Sequence, residues 1–463
     1  MKTHSRVLAA HARRLGQLPL DRRIALLEPH ACLPQSSRTP FRHRVFTLWR
    51  TFWLFLFQTL SPGQSCRETV QAAKVWLQED ALSANTSAYC QARARLPRGL
   101  LEKAFVGGGA KLCARVPPAA LWRGRRVRVV DGTSMILPDT PANQKDYPQP
   151  KTQKAGCGFP VARLVVLFCL ACGALVAYDL GALDVAEREL WRRIWDMLEP
   201  GDVLLGDRGF CSLGEFWWLR KRGVDCAVRL NARRSTGMIH VHRLGKNDCL
   251  VVWEKMKRPP KWFSVEQWAE VSPLLLVRQV TFAIAIKGFR TQMVTVATTL
   301  LDAKLWPAEE LAQLYRRRWQ AELFIRDIKT TLGMEMLSCK SPALARKELL
   351  MHLIAYNLIR SLMWEAAARR DLAPLRLSFK GALDTLRQWT PLLAGCDKSE
   401  RKRMLDRFLA ALGDHLLPDR PGRCEPRAVK KRPKIYPLLN KPRHEYVEIL
   451  HRSKYRKPEL ALS

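Results

Sequence analysis

The segment that most restricts the fold is Val161 to Leu180, two apolar runs broken by Ala171-Cys172-Gly173. Its most apolar stretch, Leu164 to Ala177, spans 14 residues, short of the roughly 20 that a membrane-spanning helix needs. Val45 to Leu60, at 16 residues, is also too short and carries Arg50. The doubled run therefore reads as a buried hairpin, with Gly173 where the chain must reverse. Around it lie further periodic segments: a strand at Arg126 to Val130, a helix at Leu183 to Leu198 and a strand at Asp202 to Leu205. A helix at Leu213 to Arg222 and a strand at Val224 to Leu230 complete the set. Three strands, helix, strand, helix, strand describe an α/β mixed sheet with flanking helices.

Asn231 to Leu300 alternates in the manner of a β-rich insertion, and helices resume near Pro307. Before Trp122 the pattern is of short helices. Cys66 to Leu77 and Thr86 to Leu96 predict a helix-turn-helix pair with Ser83 or Asn85 capping the second member. Gln91, Arg93 and Arg95 are its candidate DNA contacts, and a small helical bundle with a solvated basic face is the alternative. The expected organisation is a helical DNA-binding region at 1–120, a catalytic domain at 121–395 with the insertion at about 231–300, and a basic segment at 396–463.

Composition enters through charge. Seventy-eight Lys and Arg against 42 Asp and Glu leave a formal charge of +36, which favours a polyanionic partner and above all nucleic acid. The residues from Lys398 onward carry a net +10 and are repeatedly interrupted by proline. The first residues lack an apolar core of signal-peptide length, so a cytoplasmic protein is expected. Thirteen cysteines at irregular spacing fit reduced thiols. Cys169-x-x-Cys172 has no second pair at zinc-finger spacing and reads as core packing. His240 and His242 likewise lack a partner at ligand spacing.

Two aspartates stand where a sheet-based site would place them. Asp131 follows Val127 to Val130 and precedes Gly132; Asp207 follows Val203 to Gly206. Taken singly, each is ordinary turn chemistry. Farther on, Tyr315, Arg318, Glu322 and Lys329 stand at offsets of 0, 3, 7 and 14. At about 100° per residue they share a helical stripe about 60° wide. Leu323, Ile325, Ile328 and Leu332 lie outside that stripe and are expected to bury the helix. A solvated charged face is the competing reading of the stripe taken alone.

Together these residues resemble the DDE transposases of the insertion-sequence-four family. That family is marked by a Y-x2-R-x3-E-x6-K motif, which Tyr315, Arg318, Glu322 and Lys329 match at every spacing. VVDGTSMILPDTPANQKDYP around Asp131 and DVLLGDRGF around Asp207 resemble its two aspartate motifs. The resemblance implies a ribonuclease H-like catalytic core in which Asp131, Asp207 and Glu322 bind divalent metal, Mg²⁺ or Mn²⁺. Such carboxylates suit hard cations, and two ions about 3.5 to 4 Å apart can serve both the attacking and the leaving oxygen of a phosphodiester. It also implies that Tyr315, Arg318 and Lys329 contact DNA near the cleaved end. Trp253, Trp262 and Trp268 occupy the interval in which relatives place an aromatic that stacks on a flipped base during a hairpin step; none matches a family position, and core packing is the competing reading. The implied function is that of a bacterial, nucleoid-associated transposase acting on terminal inverted repeats and target DNA as a dimer, with no membrane partner. The alternatives are an inactive or domesticated DNA-binding relative, or a structure-specific nuclease on the same fold.

Overall fold

A computed structural model describes residues 45–77, 82–231, 238–261, 263–284, 292–395, 397–418 and 438–446. Its centre is a nine-stranded sheet in the order β3-β2-β1-β4-β5-β9-β8-β7-β6. Strand β1 (Val127–Ile136) pairs antiparallel with β2 (Val161–Cys169), and β2 with β3 (Leu175–Ala182). On its other side β1 runs parallel to β4 (Val203–Gly206), and β4 parallel to β5 (Asp225–Arg229). This half is the ribonuclease H-like arrangement expected from the sequence. The hairpin turn is also as expected, with Gly173 at a φ of 71° that only glycine adopts freely.

Strands β6 (Met238–Gly245), β7 (Asp248–Glu254), β8 (Leu274–Ile284) and β9 (Gln292–Thr298) do not form a separate sheet. They continue the central one through the β5–β9 pairing, Ala227 to Arg229 against Val296 to Thr298. Buried Arg278 on β8 fastens this extension. Its guanidinium donates to both carboxylate oxygens of Asp248, at 2.8 and 2.6 Å, and to the carbonyl of Trp306 at 2.6 Å, just before the helices that follow.

Strand alternation builds two cores. Val127, Val129, Val166, Phe168 and Leu205 face one side, while Val130, Val165, Leu167 and Leu204 face the other. On the second side lie α6 (Glu187–Ile194) and α7 (Leu213–Lys221). The first side carries α9 (Ala308–Arg316), α10 (Gln320–Arg326) and the long buried helix α11 (Pro342–Ala368). Short helices α5 (Pro141–Asp146) and α8 (Val265–Glu270) lie between strands. Helices α12 (Phe379–Gly395) and α13 (Lys398–Gly413) close the described core, so the basic C-terminal segment begins as a helix. Its proline-rich stretch at 419–437 lies outside the described residues.

Ahead of the sheet come α1 (Leu48–Leu60), α2 (Cys66–Leu77), α3 (Ser87–Arg95) and α4 (Arg98–Ala114). The predicted pair α2 and α3 is present. The Asn85 side chain accepts the Ser87 N–H at 2.8 Å at the start of α3. No helix among the described residues is long and apolar enough to cross a membrane.

Removing Asp248 strands a fully buried guanidinium. Asp248→Ala should destabilise the protein by about 3 to 5 kcal/mol, as read by urea denaturation; a loss below about 1 kcal/mol would show that the Arg278 pair does not hold the extension.

Candidate active site

The parallel pairing of β1 and β4 sets the two aspartates side by side. Val127, Val129 and Arg128 lie opposite Val203, Leu205 and Leu204. Continued two residues further, that register brings Asp131 level with Asp207. The expectation that Asp131 closes its strand needs correction: β1 continues to Ile136, and Asp131 pairs with Val166 on β2. It is β4 that ends at Gly206. Asp131 therefore borders the notch beyond the end of its neighbour, a position that strand length in the sequence does not disclose.

Each aspartate is oriented by its own backbone. Asp131 Oδ1 accepts the Gly132 N–H at 2.9 Å, and Asp207 Oδ1 accepts the Gly209 N–H at 2.7 Å. Asp131 shares the face of Val127 and Val129, toward α10, which packs on β1.

The third carboxylate sits on an uneven helix. Residues 308–331 run from α9 through a 3₁₀ turn at Arg317–Trp319 and α10 into a π-helical turn at Asp327–Thr331. The uniform 100° wheel is thus altered at two places, and Lys329 falls in the wide π turn, a feature frequent at functional sites. The turn is braced by Asp327, which accepts from Arg360 of α11 at 2.7 Å. The chain beyond it bonds to the end of β1, with the Ile136 N–H donating to Glu335 and the Leu337 N–H to Ile136, both at 2.9 Å. Ile328 and Leu332 are buried as expected, but Leu323 is 39% exposed, and Phe324 takes the core position.

Arg318 joins the acids. It donates to Glu322 at 3.0 Å and lies 4.0 Å from Asp131 Oδ2. Burial pushes the Asp131 carboxyl up to about 6, with the negative charges of Asp207 and Glu322 adding to it; the Gly132 N–H and Arg318 act against that rise. The three carboxylates do not gather their oxygens within 4.8 Å of one another. The residues fit a divalent cation: the donors are hard oxygens, the acids feel one another's charge, and a guanidinium lies between Asp131 and Glu322.

Tyr315, expected at DNA, turns inward. Its ring is buried, its hydroxyl donates to the Gly206 carbonyl at 3.1 Å, and burial raises its phenol to about 12. Here it holds the end of β4 next to Asp207. Lys329 is half-buried, with no ion-pair partner among the described residues. Trp253 and Trp268 are core residues, and Trp262 lies outside the described residues. The sequence reading passed over Trp319, which is 54% exposed beside Arg318 and one turn before Glu322. Only its place within the four-residue motif could have drawn attention to it. His240 and His242 are exposed and join no metal-binding group among the described residues.

Of the candidates in the first helices, Gln91 and Arg95 are exposed, but Arg93 is not. Its guanidinium lies 4.3 Å from the Phe55 ring and bonds to Gln58 Oε1, Cys66 Sγ and Cys339 Sγ at 3.0, 3.0 and 2.7 Å. Assigning it to DNA is corrected: a buried cation held by core groups faces no phosphate.

A ribonuclease H-like sheet with two aspartates at adjoining strand positions and a glutamate on the helix across them defines a DDE-type enzyme. The family described as "Transposase DDE domain" matches residues 122–358, and the chain belongs to that family. It is 28% identical over 416 residues to the transposase InsG of insertion sequence element IS4 from Escherichia coli (strain K12), covering 89% of this chain and 91% of that one. The cryo-EM structure of the piggyBac transposase synaptic complex with hairpin DNA aligns over 90% of this chain and 87% of that chain, at 8% identity and a TM-score of 0.42.

The raised Asp131 carboxyl has a signed consequence. Its pKa in the fold lies above the unfolded value, so its contribution to stability is complete below about pH 4 and is lost as pH rises through about 6. At 1.36 kcal/mol per unit the loss is about 3 kcal/mol. In metal-free protein, Asp131→Asn should therefore be the more stable chain at about pH 7 and lose that advantage at about pH 4. Urea titrations across this range test it, and a gap independent of pH would refute the shifted carboxyl.

Proposed function

We propose that this DDE transposase binds the terminal inverted repeats of its own insertion sequence, cleaves at their ends and joins them to target DNA. The observation that carries the reading is the β1–β4 register that sets Asp131 level with Asp207, with Arg318 linking Asp131 to Glu322. Asp131, Asp207 and Glu322 would hold Mg²⁺, with Mn²⁺ as a substitute. When bound, the metal supplies Lewis acidity and promotes ionisation of the attacking water or 3′-hydroxyl.

The protein's own groups do the positioning. Tyr315 fixes the end of β4, so that Asp207 keeps its place relative to Asp131. Arg318, beside Glu322 and Asp131, would turn two parallel N–H donors to the scissile phosphate. Lys329 would add a point charge from within the π turn, 11 residues beyond Arg318. The exposed Trp319 ring, rather than the buried Trp253 or Trp268, would stack on a displaced base. Both ends must be held together for joining, which calls for a homodimer on DNA.

The test is an end-cleavage assay with Mg²⁺ on DNA bearing the element's terminal repeat. Asp131→Ala, Asp207→Ala and Glu322→Ala should abolish nicking and joining while keeping end binding, and equal cutting by any of them would refute the catalytic assignment. Arg318→Ala should weaken processing. Binding should fall steeply with salt, because each neutralised phosphate releases counterions.

The first helices give a separate expectation. Arg95→Ala should weaken end binding with little change in stability, whereas Arg93→Ala should destabilise the fold. Gel shifts paired with thermal melts distinguish the two, and a stable Arg93→Ala protein with lost DNA binding would reverse the assignment.

A further inference from the structure

On the face of β1 opposite Asp131, three thiols meet. Cys113 comes from the last turn of α4, Cys169 from the end of β2 and Cys172 from the hairpin turn. Their sulfur atoms all lie within 4.8 Å of one another, with Cys113 and Cys172 at 3.9 Å. Cys169 and Cys172 are buried, and Cys113 is half-buried. The two-cysteine spacing in the sequence lacked a partner, and the third sulfur arrives from 56 residues upstream by folding alone.

We propose that Cys113, Cys169 and Cys172 form a binding site for one Zn²⁺ ion, separate from the catalytic carboxylates. Three sulfurs each 2.3 Å from a common tetrahedral centre stand about 3.8 Å apart, close to the Cys113–Cys172 separation. The donors are all sulfur, which selects a soft or borderline cation over Mg²⁺. A second observation supports a charged site. The buried Arg128, which sits opposite Cys169 across the β1–β2 pair, directs Nη1 to Cys113 Sγ at 3.4 Å. Its nearest carboxylate, Asp202 at 3.4 Å, is shared with Arg126. Three thiolates with Zn²⁺ carry one net negative charge, which this guanidinium offsets. A disulfide would satisfy only two of the three sulfurs and leave the third beside it as a thiol able to attack it. A water on the half-buried side, at Cys113, would complete the tetrahedron.

The site would fasten a joint. Gly109 on α4 lies so close to β3 that a Cβ there would meet the Leu175 carbonyl at 2.8 Å. The turn is also held by Asn357, whose side-chain oxygen accepts the Leu175 N–H, and by Tyr356, whose hydroxyl donates to the Gly173 carbonyl. Zn²⁺ at the three sulfurs would lock α4, and with it the first helices, to the catalytic sheet.

The experiment uses the full chain, stripped with chelator under a non-thiol reductant and titrated with Co²⁺. One equivalent should produce a sulfur-to-cobalt charge-transfer band that Zn²⁺ abolishes by displacement. Asp131→Ala should keep the band, which separates this site from the catalytic one. Cys113→Ala, Cys169→Ala and Cys172→Ala should each weaken Co²⁺ binding by more than about 100-fold, since even second-layer partners of a metal are worth 10- to 100-fold; Cys249→Ala should not. Should the variants at buried Cys169 or Cys172 misfold, alkylation mapping of the wild-type chain still decides: Zn²⁺ should protect these three thiols and no others. The proposal is overturned by absence of the band, by its persistence in Cys113→Ala, by protection elsewhere, or by a reduced protein that takes up no metal and merely oxidises to a disulfide.

Discussion

The parallel pairing of β1 with β4 is the constraint from which the site follows. Three backbone-matched positions, Val127 to Val129 against Val203 to Leu205, bring together residues 76 apart in the chain. They do so in a register that leaves both aspartates at the same end. A slip of one residue would turn Asp131 to the opposite core, because strand side chains alternate. Buried Asp202, just before β4 begins, helps to hold that register: it accepts from Arg126, the residue ahead of β1, and from Arg128 of β1.

The helix that carries Glu322 is irregular and externally tied. The 3₁₀ turn and the π turn change the facing of Arg318 and Lys329 relative to a straight helix. Asp327 with Arg360, and Glu335 and Leu337 with Ile136, fix its C-terminal end to α11 and β1. Arg318 then serves as the internal countercharge of an acidic notch that would otherwise repel itself. Under the proposed function, a phosphate entering the site would compete for the same guanidinium.

The charge of +36 acquires a distribution through this arrangement. Some arginines are structural cations sealed in the core, as with Arg93, Arg128, Arg278 and Arg360. Others, such as Arg95, remain at the surface where a polyanion can reach them. Counting cations identifies the class of partner, while burial decides which of them can touch it. The first helices are also bound to the core, through Gln64 to the Leu332 carbonyl at 2.6 Å and Lys347 to the Ala94 carbonyl at 2.7 Å.

By itself the sequence determined what local periodicity and spacing encode: the hairpin at Gly173, the order of strands and helices, the α2–α3 pair, and the spacing of Tyr315, Arg318, Glu322 and Lys329. Period-2 and period-3.6 patterns are properties of neighbouring residues, so they survive in one dimension. Tertiary structure alone decided the rest. It carried β1 past Asp131 to Ile136, joined β6 to β9 to the central sheet, turned Tyr315 and Arg93 inward, and left Trp319 exposed. It also brought Cys113 to Cys169 and Cys172. Each of these depends on which distant segment packs against a side chain, and neither spacing nor composition records that partner.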